Sequence, residues 1–378
     1  TTVGDNFANA MFGACTGAAF TMNGVFNLPQ NITTVGDGFG GIFSGCSGAA
    51  FTMNGVFNLP QNITTVGDNF ANAMFSDCSG AAFTMNGVFN LPQSIATVGD
   101  GFAGSMFYGC SGAAFRMNTV FNLPQGIATV GTEFAGSMFG YCSGAGFTMN
   151  SVFNLPQSIA TVGDNFASAM FNACSGAAFT MNSVFNLPQS ITTAGDNFAA
   201  AMFVYCSGAG FTMNSVFNLP QSITTAGYNF ADSMFSNCYG AAFTMNGVFN
   251  LPQSIASVGY NFAYHMFWGC SGAGFTMNSV FNLPQGITTA GTGFADHMFG
   301  YCSSGAAFQV NEDFKFPPSS SSWTDAYRGT FILWGSTAQT RTAASIINGN
   351  VPPGDDRDTF GISSVWSDYS LLHANWQQ

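Results

Sequence analysis

Apolar residues fall in the same places about every 32 residues along this chain, and so do the polar residues between them. In the copy that runs from Asp68 to Gly99, Phe70, Met74, Phe75 and Cys78 stand at i, i+4, i+5 and i+8. That spacing predicts one face of a short helix. Asp68 or Asn69 stands where an N-cap would accept a free helical N–H, and Ser79-Gly80 is where a two-turn helix would stop. Next, Ala81, Phe83 and Met85 alternate with Ala82, Thr84 and Asn86, which predicts a strand with Phe and Met inward. Val88, Phe89 and Leu91 continue the apolar content. Pro92 cannot donate to a ladder and marks a bend. Ile95 and Val98 then point inward from a second short extended piece, and Gly99 closes the turn.

Ten cysteines keep the register: Cys15, Cys46, Cys78, Cys110, Cys142, Cys174, Cys206, Cys238, Cys270 and Cys302. Their spacing is 32 residues, except 31 between the first two, where Gly38-Phe39-Gly40-Gly41-Ile42-Phe43 lacks one residue. A fixed period of this length signals a solenoid, in which each unit buries its apolar face on its neighbour. The predicted fold is an α/β repeat solenoid with parallel strands and a short helix in each coil, about 4.8 Å from coil to coil. Like residues then stack in columns. The inward positions hardly vary between copies, whereas one column holds Gly13, Ser76, Tyr108, Asn172, Val204 and Trp268, the freedom expected of a solvent-facing position.

The run Leu91-Pro92-Gln93-Ser94-Ile95-Ala96-Thr97-Val98-Gly99-Asp100, followed by Met106-Phe107-Tyr108-Gly109-Cys110, resembles the BspA-like (Treponema-type) leucine-rich repeat. Units of that family read roughly I-P-x-S-V-T-S-I-G-x-x-A-F-x-x-C. The resemblance covers about residues 1 to 317. Family units are shorter, and the extra length here falls in the Phe-Thr-Met-Asn-x-Val-Phe-Asn segment and beside Met-Phe. The resemblance implies a right-handed solenoid at a bacterial or protist surface, with adhesive or host-interaction roles.

The tenth repeat degenerates into Gln309-Val310-Asn311-Glu312-Asp313-Phe314-Lys315-Phe316-Pro317. Three segments are expected: a ten-repeat solenoid over 1–317, a Ser-rich linker over 318–322, and a C-terminal cap or docking module over 323–378. The last holds four of the five tryptophans and three of the five bases. A cap would close the open core and blunt a sheet edge. At the other end the chain begins inside a repeat at Thr1-Thr2-Val3-Gly4, which suggests a processed or truncated product, missing repeats or end-to-end stacking of molecules.

Composition narrows the function. Hydrophobic residues make up 47% of the 378, enough for a continuous core, and charged residues only 6%. The net charge is −12, and Arg116 is the one base before Lys315. Such a chain lacks the phosphate-neutralising patch of a nucleic-acid binder and the attraction to anionic membranes. No apolar run approaches the roughly 18 residues of a membrane span.

Several columns could carry chemistry. An even number of cysteines in an extracellular setting suggests disulfides. A large core makes bridges dispensable, so the column reads better as buried free thiols. No second ligand type recurs beside them for zinc. Asn23, Asn54 and Asn86 begin an asparagine column suited to a structural ladder. Asp5, Asp37, Asp68, Asp100, Asp164 and Asp196 read as helix caps, with calcium as an alternative for which no coil supplies enough oxygens. Thr21, Thr52, Thr84, Thr148, Thr180, Thr212, Thr244 and Thr276 form an outward array of the kind an ice-binding face needs, interrupted by Arg116. Tyr205, Tyr228, Tyr260, Tyr264, Trp268 and Tyr301 make the variable face aromatic towards the C-terminus, the composition of an interface core. His265 and His297 share a column but do not by themselves make a metal site. Ser370 and His373 have no triad around them, and no phosphate loop follows a strand. The expected function is therefore non-enzymatic and needs no cofactor: an extracellular or cell-surface repeat protein that binds a protein or glycan. The alternatives are a structural protein that assembles end to end into a filament or surface layer and, as a minor reading, an ice-binding protein.

Overall fold

A computed structural model of the chain describes residues 1–17, 21–22, 24–47, 52–53, 57–79, 84–85, 89–112, 121–144, 147, 149, 151–175, 179, 181–206, 211, 213–238, 244–270, 276–302, 309–318, 323, 326–328, 330–331, 342–347, 359–360 and 366–372. The chain forms two compact units, Thr1–Ile191 and Thr192–Gln378. Each is a stack of parallel coils.

In the first unit three short ladders run from coil to coil. Thr2–Val3, Thr34–Val35 and Thr65–Val66 pair in parallel, Thr2 on Thr34 and Thr34 on Thr65, and bridges continue the series from Thr65 to Thr97 and from Thr129 to Thr161. Thr21–Met22, Thr52–Met53 and Thr84–Met85 form a second parallel sheet, so the Thr-Met pairs of these three coils lie side by side. Phe26–Asn27 pairs with Phe57–Asn58 in a third. In the second unit Thr193–Ala194, Thr225–Ala226, Ser257–Val258 and Thr289–Ala290 form one four-stranded parallel sheet.

Like residues stack on like through most of the described core, with Ile42 in a methionine column and Ala194 and Ala226 in a valine column. Phe43, Phe75, Phe107, Phe139 and Phe171 form a column with ring centroids 5.2–5.4 Å apart and planes within 6°. Phe203, Phe235, Phe267 and Phe299 repeat it at 5.3–5.4 Å in the second unit. Offset stacks of this kind contribute about 0.5–1.5 kcal/mol per pair beyond the area they bury.

One expectation fails. Residues 69–77 and their counterparts form no helix. Asn69, Ala71, Ala73 and Asp77 have φ of +58, +61, +50 and +56°, and the residues between them do not. Right- and left-handed conformations alternate over 69–73, and every second N–H group points at a neighbouring coil, while those of Asn72, Ser76 and Cys78 bond back to the carbonyls of Asn69, Ala73 and Phe75. Asn69, Ala73, Phe75 and Asp77 donate to the carbonyls of Asp100, Gly104, Met106 and Tyr108 at 2.7–2.9 Å. Backbone groups that a helix would pair along itself are divided between the neighbouring coils and tight turns within the coil, which satisfies the same requirement. The apolar spacing was real: Phe70, Met74, Phe75 and Cys78 are all buried. The aspartates change role with the helix. Asp5, Asp37, Asp68 and Asp100 do not cap; each carboxylate accepts the backbone N–H of its counterpart one coil on, Asp37, Asp68, Asp100 and Thr132, at 2.7–3.1 Å.

Residues 319–322 of the expected linker and most of the expected cap at 323–378 lie outside the described residues. Described residues after Pro317 extend the stack. Phe331 stacks on Phe299 at 5.6 Å, the next step of the same column, and Phe299 N–H donates to Thr330 O at 2.9 Å. Phe331 N–H then donates to Thr359 O at 2.8 Å and Phe360 stacks on Phe331 at 5.7 Å. Two of the tryptophans enter this continuation: Trp323 lies against Phe294 and Trp366 against Phe331, at 5.5 Å each. The only α-helix among the described residues, Ala343–Ile347, buries Ala343, Ile346 and Ile347, and Asp368 accepts the N–H groups of Ala343 and Ala344 at 2.8 Å. No described helix is long and apolar enough to cross a membrane.

Candidate functional site

The alternating segments set the chemistry of one face in each unit. Between their buried Phe, Met and Cys residues they present the columns of Asn72, Ala73 and Asp77 outward, whereas the Ser76 column, expected to face solvent, is buried at Ser76, Val204 and Ser236 and half-buried at Tyr108 and Trp268, and the coils fill these columns differently.

In the first unit these columns hold small residues, Asn, Gly, Ser, Ala and Asp, apart from Tyr108 and Tyr141. Gly104 and Gly136 stand in the Asn72 column and leave a depression of about 260 Å³. Ser105, Ser137, Ser168, Asn72, Asn165 and Glu133 line it. A second depression of about 300 Å³ shares Asn72 and is lined by Asn9, Gly38, Gly41 and Asn69 among others. Beside the first, the rings of Tyr108 and Tyr141 meet at 5.3 Å.

In the second unit the same columns fill with titratable and aromatic groups. Tyr264 stacks on His265 at 3.8 Å, His265 touches Trp268 at 5.5 Å and His297 at 5.4 Å, and Trp268 reaches Tyr301 at 5.2 Å. His297 Nδ1 hydrogen-bonds the carboxylate of buried Asp296, and its backbone N–H donates to Arg328 O at 2.8 Å. Ser233 Oγ donates to Asp232 at 2.7 Å. Burial pushes the Asp232 carboxyl up to about 6, against the Ser233 bond. Burial, and then the neighbouring His297, pushes His265 down to about 4, so its ring is neutral at physiological pH. Burial and the Asp296 and Asp232 carboxylates raise the Tyr264 phenol.

The structure thus divides the aromatic residues singled out from the sequence. Tyr264, Trp268 and Tyr301 share one ring cluster with both histidines. Tyr228 and Tyr260 form a separate stack at 5.0 Å, in the column that elsewhere holds the aspartates. Tyr205 is exposed in the Tyr301 column, three coils away. Sequence reasoning passed over Asp232, Asp296 and Arg328. The signal was present, because Asp232, Tyr264 and Asp296 succeed one another at 32 residues in a column that is otherwise Asn, Gly, Ser or Ala. His265 is half-buried among rings, more constrained than a tolerated surface substitution.

The cysteine and asparagine columns run from coil to coil where they are described. All ten cysteines are free thiols, nine of them buried and Cys15 partly so. Cys78, Cys110, Cys142 and Cys174 each donate S–H to a phenylalanine carbonyl of the preceding coil at 3.1–3.2 Å. Burial, and then the Cys142 thiol, holds Cys110 well above its ordinary pKa. Asn23, Asn54 and Asn86 lie outside the described residues, but their column is visible further on. Asn246 donates to the carbonyls of Asn214 and Phe217 at 2.6 and 2.8 Å and accepts from the N–H groups of Val248 and Phe249 at 2.9 and 2.8 Å. In the threonine column Thr21, Thr244 and Thr276 are exposed. Thr148, Thr180 and Thr212, the side chains of Thr52 and Thr84, and His373 lie outside the described residues.

No family model matches the chain, and no curated protein matches it. Among solved structures it is similar to a leucine-rich repeat protein from Bacteroides ovatus, at 15% identity over 83% of this chain and 71% of that one, with a TM-score of 0.36.

Proposed function

We propose that this chain is a non-enzymatic binding protein of the cell surface or extracellular space, and that the second unit contacts a protein or glycan partner through Tyr264, Trp268 and Tyr301. The observation that carries the reading is the ring cluster itself. Aromatic residues, two histidines and an arginine converge at one place in a chain that is 6% charged. Interfaces draw most of their affinity from clustered Trp, Tyr and Arg, and the half-buried histidine fixes the rings before any partner arrives. The surface location rests on the resemblance to BspA-like repeats. The test replaces Tyr264, Trp268 and Tyr301 together with Ser and compares the folded variant with wild type on a glycan array and on intact cells. Anchors of this kind are each worth about 2 kcal/mol or more, so binding should fall by well over tenfold. Equal binding by the variant would remove this face from consideration.

A further inference from the structure

We infer that the depression in the first unit is a binding site for a neutral glycan chain, separate from the ring cluster of the second unit. Its walls are the hydroxyls of Ser105, Ser137 and Ser168, the amides of Asn72 and Asn165 and the single carboxylate of Glu133. Gly104 and Gly136 keep it open. Hydroxyls and amides both donate and accept, which matches the hydroxyls of a sugar.

Other ligand classes fit less well. No lysine or arginine lines the site to hold an anion. No large apolar side chain lines it to hold a lipid. One carboxylate falls short of the several a calcium site uses, and no cluster of three His, Cys, Asp or Glu able to hold a metal occurs among the described residues. An added β-strand would need unpaired backbone, yet the N–H groups of Ser105, Glu133, Gly136 and Ser137 already donate to the carbonyls of Gly136, Asp164, Glu133 and Ser168 at 2.8–3.1 Å.

An aromatic pair, Tyr108 and Tyr141, follows next along the same two coils, outside the lining of the depression. Tyr108 N–H donates to Ser105 O at 3.0 Å, which sets the Tyr108 ring one turn along from the groove wall. That ring covers Gly140, where a Cβ would come within 3.1 Å of it, and meets the exposed Tyr141. A pyranose presents an apolar C–H face and a rim of hydroxyls, so an aromatic face beside hydroxyls and amides serves both. At about 260 Å³ the depression lies near the lower end of small-molecule sites, which run about 300–1,000 Å³, and suits one or two sugar rings of a longer chain.

The blocking variant is Gly136→Tyr. A Cβ at Gly136 would meet nothing closer than Glu133 O at 3.4 Å, and the same column holds Tyr264 in the second unit, so this register accepts the ring. The full chain is titrated calorimetrically with cellohexaose, chitohexaose and maltohexaose. At least one should bind, and Gly136→Tyr and the milder Ser105→Ala/Ser137→Ala should each weaken it by about tenfold or more, equivalent to about 1.4 kcal/mol. Val248→Ser, an exposed change in the second unit, should bind the hexasaccharide as wild type does, whereas the aromatic variant Tyr264/Trp268/Tyr301→Ser reports whether the ring cluster takes the same sugar. No heat with any of the three at about 10 mM, a concentration where even weak sites fill, would overturn the assignment. So would binding unchanged in both groove variants, or lost in the aromatic variant and kept in Gly136→Tyr.

Discussion

At the scale of single residues, the coil depends on positions that L-amino acids seldom occupy. Ala173 has φ of +56° in a column where Gly109 and Gly269 have +70 and +71°. A non-glycine residue held there costs on the order of 1–3 kcal/mol. Ala173→Gly should therefore stabilise the first unit by roughly 1 kcal/mol in urea unfolding, the reverse of the effect in a helix, where glycine is worse than alanine by about the same amount. Gly101→Val should cost roughly 3 kcal/mol, because φ is +66° there and a Cβ would come within 2.5 Å of Asn69 Oδ1. Two titrating groups of the second unit act in opposition. Asp232, raised from 3.8 to about 6, stabilises the fold at low pH and loses that contribution as pH rises through 6. His265, lowered from 6.5 to about 4, stabilises above 6.5 and loses that contribution as pH falls through 4. Between pH 4 and 6 their slopes cancel in part. Taken from pH 7 to 4, the melting temperature of Asp232→Asn should fall relative to wild type and that of His265→Asn should rise relative to it. Parallel curves for all three proteins would mean that the two groups are not held as described.

At the scale of elements, the repeated unit is a set of ladders, and the sequence shows some of them more plainly than others. The columns of Phe, Met, Ile, Leu and Cys were legible because burial forbids variation there. The Asn246 ladder was legible because a polar residue repeated among apolar ones needs a reason. The helix was misread because Phe70, Met74, Phe75 and Cys78 suit either backbone: an apolar spacing reports which side chains are inside, not how the chain turns between them. A better signal was at hand. One column reads Asn6, Gly38, Asn69, Gly101, Glu133, Asn165, Asn197, Asn229, Asn261 and Gly293, and Asn in exchange with Gly everywhere but at Glu133 marks a left-handed position. The groove was illegible because it is made by what Gly104 and Gly136 lack. The ring cluster was half legible, its aromatics visible and its acids not. Asn246→Ala removes four hydrogen bonds and leaves buried backbone unpaired, at about 1–3 kcal/mol for each group so stranded, so it should cost roughly 3 kcal/mol or more. Val248→Ser next to it is exposed and should stay within about 0.5 kcal/mol. The thiol column gives a chemical readout: iodoacetamide should label only Cys15 in the native chain and all ten cysteines after denaturation. Rapid native labelling of any of the other nine would mean that the column is not sealed.

At the scale of the whole molecule, the period governs tolerance to change, because each coil depends on its neighbours rather than on a single central core. Removing residues 143–174, one full winding from after Cys142 to Cys174, brings equivalent positions together and should leave a folded protein with a cooperative transition. Removing residues 143–158 sets the two halves of the first unit out of phase and should abolish folding. The first unit also provides the most direct test of stacking in register. Thr129 and Thr161 are exposed, 32 residues apart and bridged in parallel. With Cys15 replaced by Ser, nitroxide labels placed at Thr129→Cys and Thr161→Cys should lie on adjacent strands about 4.8 Å apart. The doubly labelled protein should then give a strongly dipolar-broadened spectrum. A spectrum equal to the sum of the two single labels would contradict the stacked-coil account.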